Sequence, residues 1–404
     1  MQELLPMSLK QLDRLDVLRR ALRGEITQVS AAGLLGCTDR TVRRKVERLE
    51  AEGPSSLMHG LKGRRSNNRM SSREEEEIGK HLKEKYPDFG PTFASEKLEE
   101  LHRIVRDPRT VRRIQASLGL WSPRNVASPA VHRFFRERRR VLGELVQFDG
   151  SYHDWFEGRG GISEACLLLA VDDATGAITD AQFAPHEGVL PVMGFWLQYA
   201  GIHGIPRAIY LDRFSTYSMN MKVAAENPDT LTQFERAARD VGMQVIHARS
   251  PQAKGRVENK FGTLQDRLVK ELRLSGISNV PEANAFLRRT FIRAYNRKFR
   301  KAPRSPGDLH RKPSDRELTE ILPLIFCRKE TRVIQHDFTI PYKKVRLQIL
   351  PTPRLAIRPK ERVDVHEKPD GSLHLFLRAK PVSYHAIGSQ ASDAANQMTQ
   401  TLTT

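Results

Sequence analysis

The sequence predicts a multidomain α+β protein, with tandem helix-turn-helix units at the amino end, a central α/β core and a small β-barrel near the carboxyl end. Three observations predict it. Helical periodicity punctuated by glycine turns dominates up to about residue 122. From Glu144 the texture changes to short apolar or alternating runs broken by Gly, Asp and Thr, with helical stretches between them. After a stretch rich in Pro, Lys and Arg, the alternation resumes over 331–385, where Pro369-Asp370-Gly371 is a hairpin signal. At 404 residues the chain is too long for one ordinary core. The boundaries read as helix-turn-helix units at 1–60 and 70–122, a basic linker at 123–143, the core at 144–300, a second linker at 301–330, the barrel at 331–385 and a disordered tail at 386–404.

Charge narrows the partners. With 67 Lys and Arg against 48 Asp and Glu, the net charge of +19 attracts polyanions, and nucleic acid is the first expectation. A membrane is not expected as a partner. No apolar run reaches the roughly 18 residues of a spanning helix, and the amino end lacks a signal-peptide layout. The expected location is the bacterial cytoplasm, at the nucleoid. Cys37, Cys166 and Cys327 are few and far apart, with neither disulfide-framework nor zinc spacing. Any metal must therefore be held by oxygen ligands.

In the first unit, Thr27 to Gly53 suits two short helices with Ala32, Leu35, Val42 and Val46 inward. Gly36 sits at the turn and Thr38 is a candidate N-cap. The second helix would present Asp39, Arg40, Thr41, Arg43, Arg44 and Arg48 to a DNA major groove; a small helical bundle with a basic outer face is the blander alternative. In the second unit, "FGPTFASEKLEEL" and "DPRTVRRIQASLGL" read as helices, with Pro108 in a first turn, Gly119 near an end, and Arg109, Arg112 and Arg113 as DNA contacts. The acids Glu74 to Glu77 read as a solvated first turn, favoured by the helix dipole. The Arg-rich stretch from Ser128 to Glu144 suits either a linker lying along phosphates or an exposed helix.

The core reads as three strands, helix, strand, helix, strand, helix. Strands joined by tight turns should be antiparallel and those joined through helices parallel. Asp149 lies on the first strand and Asp212 at the end of the fourth, and ligands bind at the carboxyl edge of such sheets. Glu258 opens the last helix, amid Lys254, Arg256, Lys260 and Arg267. A solvated helix with ordinary ion pairs would explain one such acid. Three acids in this order on these elements suit Mg²⁺ or Mn²⁺, two ions per site, which need few carboxylates and leave room for phosphate. The basic neighbours would then steer DNA toward Glu258. Asp172 and Asp173 are rivals, but they sit before Gly176 in a hairpin and read as turn formers. His153 would share a strand face with Asp149, suiting either a hydrogen bond to a catalytic carboxylate or an ordinary satisfied histidine. Trp155 and Trp196 read as core.

The segments "FDGSYHDWF", "LLLAVDDATGAI", "IYLDRFSTY" and "SPQAKGRVENKFGTLQDRLVKEL" together resemble DDE transposases of bacterial insertion sequences, with a core similar to retroviral integrases. The resemblance is nearest to the insertion sequence 481 and ISNCY groups and spans most of Leu18 to Arg300. It implies a ribonuclease-H-like fold and a catalytic, metal-binding triad of Asp149, Asp212 and Glu258. In that triad Asp149 bridges both metals, and Asp212 and Glu258 each hold one. It also implies a homo-oligomer, at least a dimer on DNA. Two departures stand out. Between Asp212 and Glu258 lie 45 residues, more than in many members, with the excess near "SMNMKVAAENPDT". Gln265 stands where related integrases often carry a basic residue, a role that Arg267 or Lys260 could take over.

The function expected is metal-dependent DNA cleavage at the terminal inverted repeats of an insertion sequence, followed by transfer of the freed 3′ hydroxyl into double-stranded target DNA. Two rivals remain at this point: a sequence-specific DNA-binding regulator with an inactive core, and a nuclease that only hydrolyses.

Overall fold

The computed structural model describes residues 8–58, 70–123, 137–212, 227–248, 255–353 and 355–387; the side chains of Asp212, residues 227–232, Ala248 and Gly255 are outside the description. The chain divides into two units, Met1–Val126 and Ala127–Thr404.

In the first unit, α1 (Leu9–Leu22), α2 (Gln28–Leu35) and α3 (Asp39–Glu52) close on Leu15, Leu18, Ala31, Ala32, Val42, Val46 and Leu49. Thr27 and Thr38 cap α2 and α3, each accepting a backbone N–H three residues on. Gly36 takes φ +60° at the end of α2, a left-handed conformation that suits glycine at the turn. Next come α4 (Ser72–Glu84), α5 (Pro91–His102) and α6 (Pro108–Ser117), with Pro91 and Pro108 in first turns and Gly119 at φ +72°. Two of the acids read as solvated are engaged: Glu74 bonds Arg106, and Glu75 lies 3.0 Å from Arg113. Ion pairs reaching in from α6 and the turn before it are not visible in the local run of glutamates.

The second unit is built on a five-stranded sheet in the order β3-β2-β1-β4-β5: β1 (Val146–His153), β2 (Ala165–Asp172), β3 (Ile178–Ala184), β4 (Ala208–Asp212) and β5 (Gln244–Ala248). β1, β2 and β3 are antiparallel neighbours, while β1, β4 and β5 run parallel, as the connections predict. Side-chain alternation divides the core. Cys166, Leu168 and Ala170 of β2 pack with α7 (Val189–Ile202) and α8 (Asn227–Asp240) on one face. Leu167, Leu169 and Val171 pack on the other with α9 (Gly255–Leu274), α10 (Val280–Phe286) and α11 (Ile292–Phe299). Trp155 and Trp196 are buried, as expected. The polar insertion expected after β4 lies mostly outside the described residues, and α8 begins at Asn227, within it.

β3 is an edge strand, and two asparagines occupy its open backbone groups. Asn284 accepts from Phe183 N at 2.7 Å and donates to Phe183 O at 3.0 Å; Asn296 does the same for Ile178, at 2.9 and 2.7 Å. A side-chain amide thus stands in for a neighbouring strand and blunts the edge. Asn296→Ala leaves a part-buried N–H and C=O unmatched, and urea unfolding is expected to register a loss of about 1–3 kcal/mol. No measurable loss would mean that water serves this edge equally well.

Three expectations for the carboxyl-terminal region need correction. Residues 301–330 are not a loose linker. Lys301 N bonds Thr175 O, Ser305 N bonds Arg140 O, and Ile205 and Arg311 exchange both backbone bonds. His310 bridges Asp308 (2.5 Å) and the buried Tyr199 hydroxyl (2.9 Å), while Leu322 and Phe326, within and just after α12 (Leu322–Ile325), join the core. The composition looked like a linker because the anchoring is done largely by backbone groups, with the charges at the periphery.

Nor is the last region a closed barrel. Two sheets of orders β11-β10-β9-β6 and β12-β8-β7 face each other across one apolar cluster, formed by β6 (Arg328–Val333), β7 (Thr339–Tyr342), β8 (Val345–Ile349), β9 (Arg362–Glu367), β10 (Leu373–Leu377), β11 (Lys380–Val382) and β12 (Tyr384–Ile387). No ladder joins the two sheets among the described residues, so they remain separate. The Pro369-Asp370-Gly371 hairpin is present between β9 and β10, with Gly371 at φ +83°. Finally, Ala386 and Ile387, expected in the disordered tail, pair with Leu347 and Arg346 in β12. Among the described residues no helix is long and apolar enough to cross a membrane.

Candidate functional site: the carboxyl edge of the sheet

The three acids singled out from sequence sit on β1, β4 and α9. Across the parallel β1–β4 pair, Val146 is opposite Ile209 and Gln147 opposite Tyr210. The offset of 63 residues (146 to 209) is also that between Asp149 and Asp212, so the register carried two residues on sets these positions level on adjacent strands. Only the backbone of Asp212 is described; its side chain, and Lys254 altogether, lie outside the described residues.

Strand alternation puts Gln147, Asp149, Ser151 and His153 on one face, the face α9 covers. Gln147 Oε1 accepts Val257 N at 3.2 Å, and Gln265 Nε2 donates to Ser151 Oγ at 3.5 Å, so α9 runs alongside β1 in the same direction. Glu258 is exposed and precedes Gln265 by seven residues, about two helical turns, which places both on the side turned to β1. Gln265, standing where a basic residue was expected, thus ties helix to strand. His153 is half-buried with its ring 5.2 Å from that of Trp155. Among the described residues, which leave out the Asp212 side chain, no group of three His, Cys, Asp or Glu is arranged to hold a metal.

Asp172 and Asp173 do form the turn, and they do more. Both are fully buried. Asp172 accepts from Thr175 N, Thr175 Oγ1 and Gly143 N, and burial raises its pKa against these bonds. Asp173 accepts from Arg139 N at 2.8 Å and Gln147 Nε2 at 2.7 Å, and forms an ion pair with Arg256. One buried carboxylate therefore connects the β2–β3 turn, the start of β1 and the first turn of α9.

Arg256 is accordingly turned inward, and the expectation that Arg256, Lys260 and Arg267 flank Glu258 fails on helical phase. Positions two residues either side of Glu258 are rotated about 200° from it, and a position nine residues on by about 180°. Lys260 Nζ lies 4.9 Å from the Tyr295 ring centre and 5.9 Å from that of Phe299, and the Arg267 guanidinium lies 5.0 Å from Phe299. Lys260 and Arg267 occupy the flank of α9 that packs on α11.

Glu187 escaped the sequence reading. β3 runs parallel to β1, so the β3–α7 loop carrying Glu187 leaves the sheet at the edge where β1 ends. A Cβ on residue 150 would stand 2.6 Å from Glu187 Oε2, and the glycine beside Asp149 admits this carboxylate. The Tyr152 hydroxyl accepts Glu187 N at 2.9 Å. The only hint in the sequence is the glycine itself.

In the first unit, Arg40, Arg43, Arg44 and Arg48 are exposed on α3, with loose ion pairs from Arg43 to Asp39 (4.0 Å) and Arg48 to Glu52 (3.5 Å). Thr41 is half-buried, its hydroxyl bonded to Thr38 at 2.9 Å. On α6, Arg109 is exposed, the Arg112 guanidinium lies 5.5 Å from the Trp121 ring centre and Arg113 is paired with Glu75.

A helix-turn-helix with an arginine-rich second helix, in one chain with a mixed sheet whose register levels Asp149 with Asp212, defines the class, and comparison with known proteins makes it specific. Residues 14–76 match the family described as winged helix-turn helix. A chain named as a transposase, y4bF of Sinorhizobium fredii, is 37% identical over 390 residues, covering 95% of this chain and 82% of that one. The transposase for insertion sequence IS1202 of Streptococcus pneumoniae is 29% identical over 363 residues, covering 81% of this chain and 75% of its own length. The chain belongs to the transposases of insertion sequences. Among solved structures, a simian T-cell lymphotropic virus intasome chain aligns over 78% of this chain and all of its own, at 14% identity and TM-score 0.33. The HTLV-2 integrase catalytic core, in complex with magnesium, aligns over 36% of this chain and 83% of its own, at 16% identity and TM-score 0.27. Both scores are too low to bear on the site.

Proposed function

We propose that the chain cuts DNA at the ends of its own insertion sequence and joins the freed 3′ ends to target DNA, with Asp149, Asp212 and Glu258 as its catalytic carboxylates. The observation that carries this reading is the register that levels Asp149 with Asp212 on parallel strands, beside a helix that carries Glu258 two turns before the Gln265 contact to β1. All three offer oxygen donors, a set that fits Mg²⁺ or Mn²⁺. A bound pair of such ions would activate the attacking oxygen and stabilise the leaving one.

The protein's own groups have definable tasks. Gln147, through Val257 N and Asp173, fixes the depth of α9 against β1, and Gln265 through Ser151 fixes it two turns later. The reacting phosphorus is then held against a preset row of carboxylates. In the first step a water oxygen bonds to phosphorus, gives up a proton, and the 3′ oxygen leaves and takes one up; in the second that 3′ hydroxyl loses its proton as its oxygen bonds to a target phosphorus, and the target's own 3′ oxygen leaves and is protonated. Both are in-line displacements, so one site serves both without a protein nucleophile. The exposed arginines of α3 bind the terminal inverted repeats, helped by Arg109 and Arg112 of the second helical unit. Joining two ends in one event calls for at least a dimer on DNA.

The test is incubation of the purified chain with labelled DNA bearing the ends that flank its gene, a supercoiled target and Mg²⁺ or Mn²⁺, beside Glu258→Gln. Nicks at the ends and joined products, absent with the variant, are expected. Tight end binding with no metal-dependent chemistry would instead identify a regulator, and cutting without joining a nuclease. Arg43→Ala combined with Arg44→Ala is expected to weaken end binding roughly tenfold or more, measured by gel shift, since one good bidentate base contact contributes about 1–3 kcal/mol. Unchanged binding would remove α3 from the interface.

A further inference from the structure

The flank of α9 opposite Glu258 holds a group of cations that the catalytic reading does not use. Lys260 reaches over the Tyr295 and Phe299 rings of α11, and its ammonium is 3.4 Å from the Tyr295 hydroxyl. Arg138 lies across the β2–β3 turn: a Cβ on residue 176 would be 3.2 Å from Arg138 Nη1, so Gly176 leaves the room the guanidinium occupies. That Nη1 is buried and has no hydrogen-bond partner among the described residues. Lys301 is exposed and anchored to the same turn by its backbone N–H to Thr175 O at 2.9 Å.

These three side chains act on one another unfavourably. Arg138 and Lys301 both lie at the β2–β3 turn, and their charges act on Lys260. The nearby acids are committed elsewhere: Asp172 to the turn and Gly143, Asp173 to Arg256, and Glu137 to Arg304. Aromatic faces offset part of the cost of a desolvated ammonium, but a buried unmatched guanidinium N–H and three converging cations remain a net expense in the free protein. An anion bound among them would remove that expense.

We propose that Arg138, Lys260 and Lys301 form a site for a DNA backbone phosphate on the flank of α9 facing away from the carboxylates. This deepens the function proposed above, since a phosphate there belongs to duplex other than the segment being cut. That duplex is either the element end beyond its cleavage point or the target. The two share the chemistry and differ in sequence, which an experiment can separate.

The experiment is fluorescence anisotropy of the full chain with a labelled element-end duplex and with an unrelated duplex, titrated with salt in the presence of a chelator so that no cleavage occurs. Arg138→Gln, Lys260→Met and Lys301→Gln are compared singly and together. The triple variant is expected to lower the slope of log K against log salt by about 1, the signature of roughly one lost phosphate contact. A change confined to the end duplex assigns the site to the element; a change on both assigns it to any duplex, and so to target capture. Lys260→Met, whose stem still packs on the rings, is expected to keep or raise Tm while weakening binding. A purely structural lysine would lower Tm and leave binding alone, and that result, or unchanged slopes on both duplexes, overturns the proposal. Failure of the catalytic reading would show separately, as absence of metal-dependent cleavage by the unaltered chain.

Discussion

Asp149→Asn is expected to remove both cleavage and joining while leaving binding to the element's ends within a few-fold. The substitution keeps size and shape and deletes one negative charge from the central strand of the site, at the position level with Asp212. Loss of a single preorganised electrostatic contact already costs roughly 10²–10³ in rate. If Asp149 holds divalent cations as proposed above, its loss should therefore cost more than about 10³. In the function proposed above, end binding would fall to α3 and α6, in the other unit of the chain, and should be insulated from the change. Asp212→Asn is expected to behave in the same way. The decisive measurement is single-turnover cleavage alongside gel shift on the same preparations. Retention of more than a tenth of the activity by either variant would show that the triad is misassigned, and an equal loss of binding would show that the acid acts on the fold.

The second large effect is on stability. Arg256→Ala strips the Arg256 counter-charge from Asp173, which is fully buried and also accepts from the Arg139 N–H and the Gln147 amide. Breaking a buried pair from one side typically costs about 3–5 kcal/mol, because an uncompensated charge stays behind. In a unit of this size that corresponds to a fall in Tm of roughly 10 °C. Adding Asp173→Asn should restore part of the loss, since the remaining amide no longer needs a counter-charge; a double-mutant cycle on thermal unfolding measures the coupling. A single-variant loss below about 1 kcal/mol would mean the pair contributes no more than a surface ion pair. Because Gln147 also anchors Val257 N, the single variant should loosen the first turn of α9 and slow cleavage along with unfolding the core more readily.

Much of the core was legible from local pattern. The alternating and apolar runs, the Gly176 turn and the connection lengths were enough to derive the succession of β1 to β5 and the sense in which they run, because short turns force antiparallel neighbours and helical crossovers parallel ones. The same logic placed Asp149 and Asp212 on neighbouring strands. Helix ends read equally well where a single residue type carries the cap, as at Thr38, Gly36 and Pro108.

What failed involved groups that meet only after folding. Arg256 looked like a DNA contact because it sits two residues from Glu258, yet the turn of the helix sends it to Asp173, 83 positions earlier in the chain. Residues 301–330 looked like a linker because their anchoring through His310, Leu322 and backbone bonds leaves no periodicity. The last region alternates as barrel strands would, and alternation says which face is apolar without saying whether the first and last strands meet; here they lie in two sheets. Asn284 and Asn296 were unreadable for the same reason, their partners being backbone atoms of β3 more than 100 positions away.

By itself, then, the sequence determined the excess of positive charge, the helix-turn-helix, the sense in which the central strands run and the elements that carry the three acids, all of which follow from composition and short-range periodicity. Tertiary structure alone decided which charges face the carboxylates and which face away, which acid is sealed beneath Arg256, and where Glu187 and Arg138 come to rest. Those outcomes depend on the rotation of one helix against one strand and on close approach at glycines 150 and 176, and neither is encoded in any stretch short enough to read alone.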